Sequence, residues 1–168
     1  RLKTLIQLKK NLISIYDLNL ILGLLILDKS NDYEYFCYKY KISSDTKNRF
    51  KNIFLNIENI KTKKFYTEDN IKKLIYFLNK KNIQDLLLFS LCVNNKIKTS
   101  IIENLLYYAE NCKIPKFPIS GNYLKERGYS SNKILGKKLK FLEEKWVENN
   151  FVIDKETVDK SLEKIIKN

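Results

Sequence analysis

Turn-forming residues are scarce in this chain, which has only four glycines and two prolines among its 168 residues. Folds made of many short strands need frequent turns, so this scarcity argues against sandwiches and barrels. Apolar residues recur instead at helical spacing, for example from Ile71 to Leu78, while strand-like alternation is almost absent. We predict an all-α, multi-helix fold without a sheet, built from roughly nine helices.

Polar residues that favour helix N-termini precede several of these segments. Thr67 is followed by Glu68 and Asp69, which places a cap and two acids at the positive end of a helix dipole. Candidate caps for other helices are Ser43 or Ser44 and Asp154, and a further helix is expected to start at Thr99 or Ser100.

Two segments are apolar on nearly every side. Residues 86–93 predict a short central helix. Residues 18–27 read LNLILGLLIL and have about half the length that a membrane span needs. We interpret them as a buried core helix and expect no membrane association.

Both prolines lie close together, at Pro115 and Pro118. Residues before a proline are pushed out of the α region, so this stretch predicts an extended connector. We therefore expect a helical body domain over residues 1–112, a connector over 113–118, and a basic helical tail over 119–168. The chain begins with Arg1 rather than Met, and we expect it to be part of a longer protein.

The composition removes several kinds of chemistry. Histidine is absent, which excludes imidazole bases and histidine-containing metal sites. The three cysteines are far apart and odd in number, which is typical of reduced, mostly buried thiols in a cytoplasmic or organelle-matrix protein. No glycine-rich phosphate loop occurs, and the acid pairs 32/34 and 154/156 fit caps or solvated charge. We predict no catalytic residue, metal or cofactor in this chain.

Positive charge is the strongest hint about a partner. Lysine and arginine number 32 against 19 acids, a net charge of +13, and such a field attracts RNA, DNA or anionic lipid. The abundance of Lys, Asn and Ile also reflects an AT-rich coding sequence, so charge alone specifies no particular anion.

Three of the four glycines lie within residues 121–136. Gly121 follows a possible cap at Ser120, Gly128 can end a short helix in the left-handed conformation, and Ser131 or Asn132 can cap the next helix. This pattern predicts a pair of helices joined by a glycine turn. Backbone amides at a helix start bind anions without side chains, and Gly136 would leave room for close approach.

The second helix of this pair has two distinct faces. At 100° per residue, Lys133, Lys137 and Lys140 share one face, opposite an apolar stripe that ends at Trp146, which we expect in the core. A basic helix face can bind phosphates, although a solvated face in a lysine-rich chain gives the same pattern.

The segment from Phe117 to Phe151 resembles the C-terminal signature of bacterial tRNA nucleotidyltransferases (CCA-adding enzymes) and the related poly(A) polymerases. The matching positions are Pro118, Gly121, Leu124, Gly128, Gly136, Leu139, Glu143, Trp146 and Phe151. Residues 41–50 (KISSDTKNRF) more loosely resemble the start of the family's helical body. The chain departs from the pattern at Tyr123, where the family has Asp, and at Ser131-Asn132, where it has Pro-Gly.

The resemblance implies the body and tail of such an enzyme, with a catalytic head upstream that uses Mg²⁺, CTP and ATP. In that family the body and tail hold the acceptor and T arms of tRNA, so tRNA is the expected partner. The RNA-binding candidates are Gly121, Tyr123, Lys125, Arg127, Tyr129, Lys133, Lys137 and Lys140. Two alternatives remain open: the same part of a poly(A) polymerase, and a stand-alone helical scaffold that binds RNA or protein.

Overall fold

The computed structural model describes residues 17–128 and 133–153, together with positions 4 and 158. The prediction of an all-α fold is confirmed, and the described residues contain no strand. Eight α-helices lie within the two described ranges, namely α1 (Leu18–Ile26), α2 (Asp32–Lys39), α3 (Ser44–Asn56), α4 (Glu68–Leu78), α5 (Lys80–Val93), α6 (Thr99–Asn111), α7 (Gly121–Lys125) and α8 (Lys133–Glu148). Two 3₁₀ turns, Asn59–Lys61 and Lys63–Tyr66, connect α3 to α4.

The chain divides into two compact units, residues 1–112 and 113–168, here called the body unit and the tail unit. Helix α5 is the centre of the body unit and packs against α1, α3, α4 and α6. Its residues 85–92 are all buried, as the apolar run predicted, although the helix begins earlier, at Lys80. Each buried leucine side chain contributes roughly 2 kcal/mol of hydrophobic stabilisation.

Side-chain caps start two of the body helices where the sequence placed them. Thr67 accepts a hydrogen bond from the amide of Asn70, and Ser43 accepts one from the amide of Thr46. The helix predicted to start at Thr99 or Ser100 is α6, which begins at Thr99, and its N-cap residue Lys98 makes no side-chain cap bond. The predicted cap Asp154 lies outside the described residues.

Helix α1 buries one face rather than its whole surface. Leu20, Leu24 and Leu27 are at most 1% exposed, whereas Leu18 and Leu25 are 81% and 59% exposed. The interpretation of residues 18–27 as a buried core helix therefore holds for half of the helix only. Within the described ranges, every helix falls short of the length and apolar character that a bilayer crossing requires.

A cluster of charges around the buried Arg49 joins three body helices. Arg49 of α3 donates to both carboxylate oxygens of Asp85 in α5 at 2.6 and 2.9 Å, and to Asp17 at 2.8 and 2.9 Å. Asp17 in turn caps α1 by accepting from the amide of Leu20 at 3.1 Å. Burial opposes the charged forms, but these hydrogen bonds prevail: they raise the pKa of Arg49 and lower that of Asp17 to about 2.

Two of the three cysteines are packed in the interior. Cys37 and Cys92 are buried and Cys112 is half-buried, and none of these three described residues forms a disulfide. Burial raises the pKa of the Cys92 thiol to about 11, so this thiol stays protonated and unreactive at neutral pH.

The tail unit has its own apolar core. Ile119, Leu124, Leu135, Leu142 and Val158 are buried together there. Trp146 is 3% exposed, as expected of a core residue. Its ring centroid lies 5.3 Å from that of Phe117 and 5.0 Å from that of Phe151, distances typical of favourable aromatic pairs. Residues 112–120 contain no helix or strand, in keeping with the predicted connector.

Candidate nucleic-acid interface

Helix α7 is short and closed at both ends by the residues that the sequence indicated. Ser120 is its N-cap, and the Ser120 hydroxyl accepts from the amide of Tyr123 at 3.3 Å. After the helix, the amide of Gly128 donates to the carbonyl of Lys125 at 2.9 Å. Gly128 has a φ of +86°, a conformation that a side chain disfavours. The predicted glycine turn at the end of α7 is therefore confirmed.

This cap makes the start of α7 a poor anion site. The amide of Tyr123 already donates to Ser120, and the helix is only five residues long, so its dipole is weak. Gly121 itself lies over α8, since a Cβ at this position would come 3.8 Å from Leu139. The role of Gly121 supported by the geometry is packing of the two helices.

Arg127 and Tyr123 are in contact beside the glycine turn. The guanidinium carbon of Arg127 lies 3.6 Å from the centroid of the Tyr123 ring, within the range of a cation–π contact. Arg127 Nη1 also donates to the carbonyl oxygen of Tyr123 at 3.3 Å. These two contacts orient a guanidinium on the surface, where Arg127 is exposed. A guanidinium held in this way can bind a phosphate or stack on a base.

The lysines predicted on one face of α8 are all exposed. Lys133, Lys137 and Lys140 are solvent-accessible, whereas Leu135, Leu142 and Trp146 are buried. The Nζ of Lys140 comes within 4.0 Å of Glu144, with a side chain 77% exposed, so this contact is weak. The two-faced character of the helix is thus confirmed. Lys125, on α7, is exposed as well.

Two neighbours of the lysine face have different surroundings. Gly136 is exposed, and a Cβ built on it meets nothing within 4 Å. An approaching phosphate backbone could therefore come close to the helix at this position. Lys138 is 4% exposed on the packed side, and the sequence analysis did not single it out.

The charge of the chain is concentrated in this region. Residues 113–142 contain eight lysines and arginines but a single acid, Glu126. This segment of thirty residues therefore holds +7 of the net charge of +13. Positive charge clustered on one part of a domain is the electrostatic footprint expected of a polyanion-binding surface.

The structure brings Tyr123 and Arg127 into contact and exposes the lysines on α8. Tyr129, Ser131 and Asn132 lie outside the described residues. The sequence analysis named Tyr123 and Arg127 separately but missed their pairing, which their i, i+4 spacing could have indicated. Among the residues that the structure describes, no three acids or cysteines gather as a metal site would require.

Comparison with known proteins adds no relative. No described family, curated protein or solved structure matches this chain.

Proposed function

We propose that this chain is the tRNA-binding, non-catalytic part of a tRNA nucleotidyltransferase that adds CCA to tRNA 3′ ends. The tail unit would contact the tRNA, and a head elsewhere in the protein would carry out nucleotide transfer with Mg²⁺, CTP and ATP. The observation that carries the proposal is the two-faced helix α8: Lys133, Lys137 and Lys140 are exposed while the opposite side is packed.

The exposed lysines on α8 suit recognition of duplex RNA better than recognition of a particular base sequence. Duplex RNA is recognised by its shape, phosphates and 2′-hydroxyls, which a rigid helix with ammonium groups at fixed spacing can follow. The packed side of α8 supplies that rigidity, because Leu135 and Leu142 anchor it in the tail core. The oriented guanidinium of Arg127 would add one directed phosphate contact.

A salt-dependent titration tests the proposal. Binding of the chain to tRNA is measured at about 50 mM and about 200 mM salt, and affinity is expected to fall by roughly a hundredfold or more because phosphate contacts release counterions. Replacing Lys133, Lys137 and Lys140 together by Gln should lower affinity at both concentrations. It should also reduce the slope of log K against log salt by about one unit per lost phosphate contact.

A matched control separates a specific surface from net charge. Lys63, Lys64 and Lys96 are exposed on the body unit, so changing them to Gln removes the same three charges elsewhere. This control is expected to keep nearly the same salt slope as the unmodified chain. Equal losses in both variants, or no tRNA binding at low salt, would contradict the proposal and favour a protein-binding scaffold.

The poly(A) polymerase alternative concerns the product rather than this surface. Nucleotide incorporation by the whole protein, with CTP and ATP supplied separately, distinguishes the two enzymes. CCA addition requires CTP before ATP, whereas poly(A) synthesis proceeds with ATP alone. The isolated chain should incorporate neither nucleotide.

A further inference from the structure

A groove lies on the body unit along helix α2. Aromatic side chains form most of its wall, namely Tyr33, Tyr35, Phe36 and Tyr40, with Asp32 and Lys39 as its charged members. Its volume is about 360 Å³, which is within the range of small-ligand sites. Neither the proposed tRNA contacts nor the resemblance uses these residues.

We propose that this groove binds one unpaired RNA nucleotide whose base carries an exocyclic amino group. Tyr35 and Tyr40 would stack on the base. Lys39 would contact the phosphate, and Asp32 would accept a hydrogen bond from the amino group. The inference rests on the proposed function only in taking RNA as the source of the nucleotide.

The position of Lys39 is the first argument. Its ammonium nitrogen lies 5.8 Å from the Tyr35 ring centroid and 5.7 Å from the Tyr40 centroid. The Tyr40 ring also packs against Phe36, with centroids 4.7 Å apart. One cation is therefore held next to two rings, which is the combination that single-stranded nucleic-acid sites use for phosphate and base.

The exposure of the rings is the second argument. Tyr35 and Tyr40 are 66% and 59% exposed, although their rings are largely apolar and are of a kind often buried in protein cores. Since a base can stack on an exposed tyrosine without any rearrangement of the fold, the surface is ready for such a ligand.

The distribution of charge decides which ligand fits. Asp32 lies in the first turn of α2 and Lys39 in its last turn, so the groove has an acceptor near one end and a cation near the other. A nucleotide is complementary to this arrangement, because its phosphate is anionic and the bases A, C and G offer amino donors. Uracil has no amino group, which makes base preference a direct test.

The experiment measures binding of short end-labelled oligocytidylate and oligouridylate by fluorescence anisotropy. All proteins carry the substitutions Lys133→Gln, Lys137→Gln and Lys140→Gln, so that the tail lysines do not dominate the signal. We expect tighter binding of oligocytidylate than oligouridylate. Tyr35→Ala should weaken oligocytidylate binding about tenfold, the loss of one stacking contact. Asp32→Ala leaves no side-chain acceptor at this position and should remove the base preference.

Tyr38→Ala is the matched control, because Tyr38 is on the same helix, is 83% exposed and is not part of the groove wall. It is expected to leave both affinities unchanged. Equal affinity for the two oligonucleotides, or equal effects of Tyr35→Ala and Tyr38→Ala, would overturn the inference, and a groove that serves a protein partner would give that result. The proposed function is tested separately, by tRNA binding of the chain without these substitutions. It fails if that binding is absent or does not depend on salt.

Discussion

The two units use positively charged side chains in different ways. In the body unit, the buried Arg49 pairs with the buried Asp85 and the half-buried Asp17, and its charge holds three helices together. In the tail unit, Lys133, Lys137 and Lys140 are turned to solvent on a helix whose other face packs. A cation that stabilises the fold is surrounded by carboxylates, whereas a cation that is available to a ligand is exposed on a helix whose other face is packed. Net charge cannot make this distinction, but burial and geometry can.

The strongest way to break this comparison is to remove the carboxylate that neutralises Arg49. The side chains of Arg49 and Asp85 are 8% and 2% exposed, so Asp85→Asn leaves a buried cation with incomplete compensation. The free energy of unfolding should fall by about 3 kcal/mol. Trp146 is the only tryptophan and lies in the tail core. The unfolding midpoint should therefore shift more when it is followed by circular dichroism than when it is followed by tryptophan fluorescence.

Lys81→Gln serves as the control for this first prediction. Lys81 lies 3.4 Å from Asp17 and from Asp85, but its side chain is 41% exposed. Loss of the Lys81 charge should lower the free energy of unfolding by less than about 1 kcal/mol. Equal destabilisation by Asp85→Asn and Lys81→Gln would show that burial does not distinguish these charges.

The second prediction concerns the glycine turn of the tail. Gly128→Ala places a Cβ on a residue with a φ of +86° and should destabilise the tail unit by about 1–2 kcal/mol. The loss should appear in urea unfolding followed by tryptophan fluorescence. An unchanged midpoint would mean that the turn does not need glycine.

The third prediction is a second Gly→Ala substitution, which is expected to increase stability rather than decrease it. A Cβ at Gly136 meets nothing, so Gly136→Ala should stabilise helix α8 by nearly 1 kcal/mol. If RNA approaches the helix at this position, the same variant binds tRNA more weakly despite its greater stability. A gain in both stability and affinity would place the RNA elsewhere.

The smallest expected effect is a pH dependence in the body unit, because the Asp17 side chain is 41% exposed and water screens its ion pairs. The pKa of Asp17 is lowered from 3.8 to about 2, so its ionised form stabilises the folded state. This contribution is complete above about pH 4 and is lost as the pH falls through about 2. Urea unfolding of Asp17→Asn and the unmodified chain should therefore differ at about pH 5 and converge towards about pH 2. A constant difference would show that Asp17 contributes through its shape alone.

The sequence was informative where one local signal determines the structure. Helical spacing predicted the all-α fold, Thr67 and Ser43 marked helix starts, and Gly128 marked a left-handed turn. Each of these depends on neighbours a few residues apart, so local chemistry decides it.

Features that depend on distant partners were not predicted. Arg49 and Asp85 are 36 residues apart, and only the packing of α3 against α5 brings them together. The groove on α2 likewise contains tyrosines that look like ordinary surface or core positions in the sequence. In the tail, the sequence predicted the basic face of α8. Whether that face binds a ligand or is only solvated depends on the ligand, which the sequence does not contain.

The most direct measurement of the central claim is lysine footprinting. The chain is acetylated with limiting reagent in the presence and absence of tRNA at low salt, and modification is quantified by peptide mass spectrometry. Binding through the tail predicts that tRNA protects Lys133, Lys137 and Lys140 while Lys63 and Lys64 on the body stay reactive. Uniform protection of all five lysines, or none, would contradict the claim that α8 contacts the RNA.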